Sequence, residues 1–223
     1  MLTWTVATWI RRACPVLSGK TDICVVRFRL VLKDYGRFIR EFLLNPSCVG
    51  AIAPSSPRLA TRMVEWVDWD SVGAVAEYGP GTGVFTTEIL QQKRPDSQFF
   101  AVELNEDFAN TFAERFPDVT LFRDSVGNIE KICQQQNVDQ LDAVICGLPW
   151  ATFSDELQTE LLEAMLKVLK PGGYFATFAY LSGMALPAAH RFHRKLDGLF
   201  DQVEPSRTVW TNVLPAFVYQ CRL

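Results

Sequence analysis

A glycine-rich turn preceded by an acid is the feature of this sequence most suited to binding a ligand. Glu77 and Tyr78 come before glycines 79, 81 and 83 in the segment EYGPGTG, residues 77–83. Glycines let a chain turn tightly and let backbone N–H groups approach a ligand. A dinucleotide-binding turn has the spacing G-x-G-x-x-G, and here the third glycine comes one residue early. Because the Glu77 carboxylate would repel a pyrophosphate and attract an ammonium, the turn predicts a ligand with a cationic amino-acid end.

Two further acids follow the next two strand-like runs. Glu103 ends the run 98–103, and Asp124-Ser125 follows the run 119–122. An acid at the first of these positions can accept hydrogen bonds from both hydroxyls of a ribose, and one at the second can accept from an adenine amino group. Each acid alone is equally typical of a solvated strand end or a helix N-cap. Their order, one after each strand, favours a nucleoside-binding crevice.

Strands and helices alternate around these positions. Strand-like runs cover 74–78, 98–103, 119–122, 141–147 and 174–180, and helices begin near 84, 105, 125 and 154, the last stopped by Pro171-Gly172-Gly173. Four such steps predict an open parallel sheet with helices on both faces. A helix at about 187–196 and two strand-like runs at 200–209 and 212–221 follow. Because only a short turn near Trp210 joins these two runs, they must be antiparallel neighbours.

Composition and charge divide the chain into an arm and a body. Of 223 residues, 48% are hydrophobic and 21% charged, which is typical of a globular protein. Residues 1–62 hold ten Lys/Arg and three acids (10 − 3 = +7), whereas residues 63–223 hold twelve bases and 22 acids (12 − 22 = −10).

The segment 25–44 has apolar residues at spacings of three and four with basic residues between them, so we predict an amphipathic helix ended by Asn45-Pro46. A basic arm predicts an anionic partner, either a membrane or a nucleic acid. Packing of this helix against the body is the alternative.

The ordered motifs resemble class I S-adenosylmethionine-dependent methyltransferases over about 55–223. The resemblance implies an α/β Rossmann-like fold with a seven-stranded, mostly parallel sheet of order 3-2-1-4-5-7-6, strand 7 being antiparallel. It implies S-adenosylmethionine as cofactor and S-adenosylhomocysteine as its product. The glycine turn and its acid would hold the methionine moiety, the acid after strand 2 the ribose, and the acid after strand 3 the adenine. The implied cofactor contacts are Glu77, Tyr78, Gly79, Gly81, Thr82, Gly83, Glu103, Leu104, Asp124, Ser125 and Cys146.

A narrower resemblance, over about 38–223, is to bacterial phospholipid N-methyltransferases, which convert phosphatidylethanolamine stepwise to phosphatidylcholine. The segments that carry it are NPSCVGAIAPSSP (45–57), EYGPGTGVFT (77–86), GLP (147–149) and VWTNVLPAFVY (209–219). It implies an arm (1–54) that binds an anionic membrane and a methyltransferase domain (55–223). It also implies a phospholipid substrate and a cytoplasmic enzyme on the inner face of the cell membrane. The expected membrane contacts are Arg27, Phe28, Arg29, Lys33, Arg37, Phe38 and Arg40.

Methyl transfer to an amine requires acceptors that orient a neutral nitrogen, and exclusion of water. We expect the backbone carbonyls of Gly147 and Leu148 to be those acceptors, because Pro149 fixes their loop. Trp150 and Tyr180 would shelter the growing ammonium by cation–π contact, and Tyr35 would close over the site. Plain packing is the alternative role of each aromatic residue. Arg207 is a candidate for the lipid phosphate.

Three other functions fit the same motifs. An rRNA adenine N6-methyltransferase would share the sheet and use the arm for phosphates, but those enzymes resemble this chain with an asparagine where Gly147 stands, so we expect no nucleic-acid substrate. Another amino lipid, such as an ornithine lipid, would suit the same chemistry. A membrane-surface protein that binds the cofactor without catalysis is the third reading.

His190 and His193 lack neighbouring acidic or cysteine ligands, and we expect no metal. We also expect a monomer.

Overall fold

The computed structural model describes residues 55–223 of the chain. The predicted helix over 25–44 lies outside the described residues, and so do the site candidates within it. These are Arg27, Phe28, Arg29, Lys33, Tyr35, Arg37, Phe38 and Arg40.

The described residues form one seven-stranded sheet of order β3-β2-β1-β4-β5-β7-β6. The strands are β1 (Ala74–Tyr78), β2 (Gln98–Val102), β3 (Thr120–Phe122), β4 (Leu141–Cys146), β5 (Leu169–Tyr180), β6 (Gln202–Pro205) and β7 (Ala216–Arg222). The pairs among β1 to β5 are parallel, and β7 is antiparallel to both β5 and β6. The predicted strand order and the antiparallel seventh strand are confirmed.

Six α-helices connect or flank these strands. They are α1 (Pro57–Val64), α2 (Val84–Gln92), α3 (Glu106–Arg115), α4 (Ile129–Gln135), α5 (Asp155–Val168) and α6 (Pro187–Leu199). Capping side chains set several starts: Ser56, Asn105 and Ser154 accept from backbone N–H groups in the first turns of α1, α3 and α5. Among the described residues, no helix combines the length and apolar character needed to cross a membrane.

The strand register brings the predicted site residues to one edge of the sheet. Tyr78 at the end of β1 pairs with Val102 of β2 and Cys146 of β4. The residues that directly follow β1 and β4 continue the hydrogen bonding to the adjacent strand. Gly79 N donates to Val102 O (2.9 Å), and Gly147 N donates to Tyr78 O (2.7 Å). Ligands of open α/β sheets bind at this carboxyl edge.

The last two strands are shorter than the sequence predicts. β6 ends at Pro205 and β7 begins at Ala216, so a ten-residue loop, 206–215, replaces the short turn expected near Trp210. Asn212 holds this loop, because its Oδ1 accepts from Ser56 N (2.7 Å) and its Nδ2 donates to Leu214 O (2.9 Å). The loop nevertheless keeps an isolated bridge to β7, between Val209 and Ala216.

Helix α5 ends before Pro171-Gly172-Gly173, as predicted, but β5 begins earlier than the sequence predicts. The helix stops at Val168, and the segment that contains Pro171-Gly172-Gly173 belongs to β5, which begins at Leu169. Cys133, Cys146 and Cys221 are buried free thiols.

Candidate active site at the carboxyl edge of the sheet

The three glycines of the turn have positive φ angles of +62° at Gly79, +55° at Gly81 and +78° at Gly83. A Cβ on Gly83 would lie 2.1 Å from the ring of Phe116, and one on Gly79 would lie 2.9 Å from Leu148 Cδ2. A Cβ on Gly81 would meet nothing within 4 Å. Two glycines therefore serve packing, and the third faces open space that a ligand can occupy.

Glu77 lies fully buried beneath this turn, with no exposed surface. Its Oε2 accepts from the Thr86 hydroxyl at 2.6 Å, and among the described residues its Oε1 has no hydrogen-bond partner. Burial, despite the Thr86 hydrogen bond, raises the pKa of Glu77 to about 8. A buried oxygen without a partner is costly unless a ligand supplies the donor. An ammonium group fits that requirement.

Glu103 connects the end of β2 to the glycine turn. Its Oε1 accepts from Asn105 N (2.8 Å) and its Oε2 from Gly81 N (3.3 Å), while only 6% of the residue is exposed. Burial raises the pKa of this carboxyl, against the opposing effect of these backbone N–H groups. Each carboxylate oxygen keeps a further lone pair, so Glu103 can still accept from two ribose hydroxyls.

Asp124 and Ser125 form the next corner of the edge. Asp124 Oδ1 accepts from Ser125 N and from Asn128 Nδ2, both at 2.7 Å. Ser125 caps the 3₁₀ turn Val126–Asn128, because its Oγ accepts from Gly127 N at 3.1 Å. Asp124 is therefore fixed at the strand end, in the position expected of an adenine acceptor.

The loop after β4 packs directly on the glycine turn. A Cβ at Gly147 would lie 2.5 Å from Gly79 O, so the backbone approach itself excludes any side chain at position 147. Leu148 O already accepts from Trp150 N at 3.0 Å. Leu148 is one of the two expected carbonyl acceptors, and one lone pair of its carbonyl oxygen is therefore already occupied.

Trp150 packs in an aromatic cluster. Its ring stacks on Phe192, with centroids 4.6 Å apart and an interplanar angle of 14°, and its Nε1 donates to Thr177 Oγ1 at 3.1 Å. Only 4% of the residue is exposed. A substrate ammonium on the stacked ring face would require Phe192 to move. The structure therefore gives Trp150 the packing role that the sequence left as its alternative.

The remaining candidates differ in how far their side chains reach the edge. Tyr78 and Cys146 are buried, so only their backbones face the turn, and burial raises the Cys146 pKa to about 12. Tyr180 lies partly buried beside Phe178, with ring centroids 5.2 Å apart. Thr82 and Leu104 are partly exposed, and Arg207 is exposed on the 206–215 loop.

A model of the methyltransferase domain matches residues 75–173. Over 198 residues, the chain is 33% identical to an ornithine lipid N-methyltransferase of Singulisphaera acidiphila, covering 86% of this chain and 97% of the relative. The chain belongs to the S-adenosylmethionine-dependent methyltransferases. The methyltransferase domain therefore lies where the glycine turn and the acids of β2 and β3 were identified.

Solved structures agree with this methyltransferase fold. The O-methyltransferase TomG of Streptomyces achromogenes, in complex with S-adenosylmethionine, superposes with a TM-score of 0.59 at 16% identity, over 98% of this chain and 96% of that one. A putative methyltransferase of Streptococcus mutans, in complex with S-adenosylhomocysteine, has a TM-score of 0.51 at 20% identity, over 68% and 89% of the two chains.

The methyltransferase has groups that fit each part of S-adenosylmethionine. The unpartnered oxygen of Glu77 suits the ammonium, the open face of Gly81 leaves room for the chain of the ligand, and Glu103 suits the ribose. When bound, the cofactor supplies an electrophilic methyl group on a sulfonium. The protein's contribution is to orient that methyl and to keep water from it.

Three supporting residues were not assigned roles from the sequence. Thr86 donates to Glu77, Phe116 packs against Gly83, and Asn128 donates to Asp124. Thr86 lies in the segment 77–86, which carries the family resemblance, and in the first turn of α2. That position is the sequence signal that could have indicated its role. The contact of Phe116 with Gly83 had no signal, because α3 and the turn meet only in the folded chain.

Among the described residues, no group of three or more His, Cys, Asp and Glu side chains is arranged to hold a metal ion. One of the two histidines of α6 has an acidic neighbour that the sequence analysis did not identify. His193 stacks on Tyr219, with centroids 5.3 Å apart, and its Nε2 lies 3.5 Å from Asp197 Oδ2.

Proposed function

We propose that this methyltransferase transfers methyl groups to the primary amine of a membrane amino lipid. The observation that carries the proposal is the 33% identity to an ornithine lipid N-methyltransferase across 97% of that relative. Ornithine lipid is accordingly the first candidate substrate. Phosphatidylethanolamine, which the motif resemblance implies, is the second, since it offers the same nucleophile on a diacyl anchor.

The loop after β4 supports an amine that enters as a free headgroup. Attack requires a neutral nitrogen whose lone pair points at the methyl, and a carbonyl acceptor can hold an N–H in that orientation. Gly147 lies beside Gly79, next to the open face of the turn, so its carbonyl is our candidate acceptor. Leu148 and Trp150 are buried behind it and exclude water from that side.

The same loop disfavours the rRNA adenine alternative. That reaction, in the enzymes that this chain resembles, uses an asparagine at the position of Gly147. Here a Cβ would lie 2.5 Å from a backbone oxygen, which real side chains do not tolerate. The solved methyltransferase structures are less than 25% identical to this chain, so their similarity supports the fold and not a choice of substrate.

We propose that the enzyme works at the inner face of the cell membrane as a peripheral protein. The excess of positive charge in residues 1–62 supports this, because each basic residue near an anionic leaflet contributes about 1 kcal/mol. The proposal includes side-chain contacts with the lipid and with the amine. At the amine we propose Tyr35 and Tyr180. At the lipid we propose Arg27, Phe28, Arg29, Lys33, Arg37, Phe38, Arg40 and Arg207.

The test is methyl transfer from labelled S-adenosylmethionine to four acceptors presented separately. These are anionic vesicles with ornithine lipid, anionic vesicles with phosphatidylethanolamine, the same vesicles with neither, and ribosomal RNA. We expect label in the ornithine lipid, and label in phosphatidylethanolamine alone would change the substrate but keep the reaction. Label only in RNA would refute the proposal.

A further inference from the structure

Exposed bulky hydrophobic side chains are concentrated at the carboxyl edge of the sheet. Trp210 and Val213 of the 206–215 loop are 71% and 67% exposed, the largest values among the exposed hydrophobic residues that the structure describes. Leu181 and Leu186 are also exposed, and Leu181 N donates to Pro215 O at 2.9 Å, which joins their segment to the loop. We call these four residues the edge surface.

The edge surface lies on the side of the molecule where the substrate must enter. β7 begins at Ala216, which pairs with Tyr180 at the end of β5, so the loop extends beyond the carboxyl ends of the strands. Gly147 and the glycine turn lie at the same edge, after β4 and β1, which are one and two strands away from β5.

The loop holds its apolar residues outward in a fixed conformation. Asn212 is only 5% exposed and bonds to Ser56 N and Leu214 O, and Val209 is buried and bridges Ala216. Trp210 and Val213 therefore stand on either side of residues that are anchored to the body. Because the loop backbone is already ordered, docking avoids the entropy cost of ordering a flexible loop.

The charge around the edge surface complements an anionic partner. The body as a whole is acidic, yet the 206–215 loop contains Arg207 and no acid, and residues 181–189 contain no charged side chain. Tryptophan is enriched where proteins meet the headgroup layer of a bilayer, because its ring is apolar and its N–H remains hydrated. An exposed apolar patch with an adjoining arginine is typical of such a site.

We propose that the edge surface docks onto an anionic lipid bilayer, with Trp210 and Val213 entering the headgroup region, so that the amino lipid reaches Gly147 without leaving the membrane. This inference rests on the proposed lipid substrate and adds a contact in the body of the enzyme, separate from the arm.

The test compares the full chain with W210S/V213S in co-sedimentation with vesicles of phosphatidylglycerol, phosphatidylethanolamine and ornithine lipid. Removing two interfacial side chains should weaken vesicle binding about tenfold or more. The matched control is L90S/L199S, because Leu90 and Leu199 are exposed near the C-terminal ends of α2 and α6, towards the opposite edge. The control should bind vesicles as the wild type does.

Activity distinguishes failure of this inference from failure of the proposed function. With W210S/V213S, we expect the rate on vesicles to fall with binding, while the rate on a short-chain monomeric amino lipid is unchanged. If the wild type methylates amino lipid and W210S/V213S binds vesicles equally well, the docking surface is refuted and the function stands. If the wild type methylates neither lipid, the function fails.

Two further outcomes would overturn the docking surface. If W210S/V213S changes the sedimentation coefficient without changing vesicle binding, the surface joins two copies of the chain. If brominated acyl chains quench the fluorescence of wild type and W210F to the same extent, Trp210 does not enter the bilayer. Quenching that is weaker in W210F than in the wild type is the expected result.

Discussion

Replacing Glu77 by glutamine should change how the stability of this methyltransferase depends on pH. The carboxyl is fully buried, and its pKa is raised from the ordinary 4.5 to about 8, with burial as the largest cause. Between these values the folded protein keeps a proton that the unfolded chain has released. Because the unfolded state binds fewer protons, the free energy of unfolding falls as the pH rises.

The size of the effect follows from the two pKa values. One pKa unit corresponds to about 1.4 kcal/mol, so the interval from 4.5 to about 8 gives a loss of about 5 kcal/mol, complete above about pH 8. At about pH 7, roughly 3 kcal/mol is already lost. E77Q has no proton to release, and its stability relative to wild type should therefore increase by these amounts.

The measurement is urea unfolding of wild type and E77Q at about pH 5, 7 and 9, where the difference between the two proteins cancels the other titrating groups. E114Q is the matched control, since Glu114 is exposed on α3. A stability difference that stays constant over this range would refute a protonated, buried Glu77.

Ligand binding gives a second measure of the same group. If an ammonium pairs with Glu77, binding of S-adenosylhomocysteine at about pH 7 should expel the proton that the carboxyl holds. Calorimetry in two buffers of different ionisation enthalpy should then show release of nearly one proton by wild type and none by E77Q. Equal release by both proteins would contradict the pairing.

The remaining predictions concern the turn and its ribose acceptor. Gly83→Ala should destabilise the fold by about 3 kcal/mol or more, because its Cβ would overlap the Phe116 ring, whereas Gly81→Ala, where φ is positive but space is open, should cost only about 1 kcal/mol in urea unfolding. Gly81→Ala should nevertheless weaken S-adenosylhomocysteine binding, since the methyl would occupy ligand space; equal affinity would place the ligand elsewhere. Glu103→Gln should lower that affinity about 30-fold or more in calorimetry, because one oxygen that accepts from a ribose hydroxyl is replaced by a donor. Unchanged affinity would contradict the ribose role.

Much of the sheet was predictable because each step depends on local patterns. Apolar runs of strand length alternate with capped helices, and helices start in the structure at Asn105 and Ser154, where the sequence predicts them. The 206–215 loop was mispredicted because its conformation depends on Asn212 and Ser56, which lie 156 residues apart. A contact of that separation leaves no periodic signal.

The sequence by itself determined which residue types stand at each strand end: an acid before three glycines, a second acid after β2 and a third after β3. The resemblance of these ordered motifs to class I methyltransferases implied the cofactor, and parallel strands bring the carboxyl ends that carry them to one edge. Only the tertiary structure decided how each group is used. Burial by the surrounding elements gives Glu77 its raised pKa and leaves its Oε1 without a partner, and the 2.5 Å approach to Gly79 O requires glycine at 147. Stacking on Phe192 makes Trp150 a core residue, while Trp210, of the same type, is left exposed at the edge. Exposure and electrostatics depend on which distant elements pack together, and local sequence does not record that.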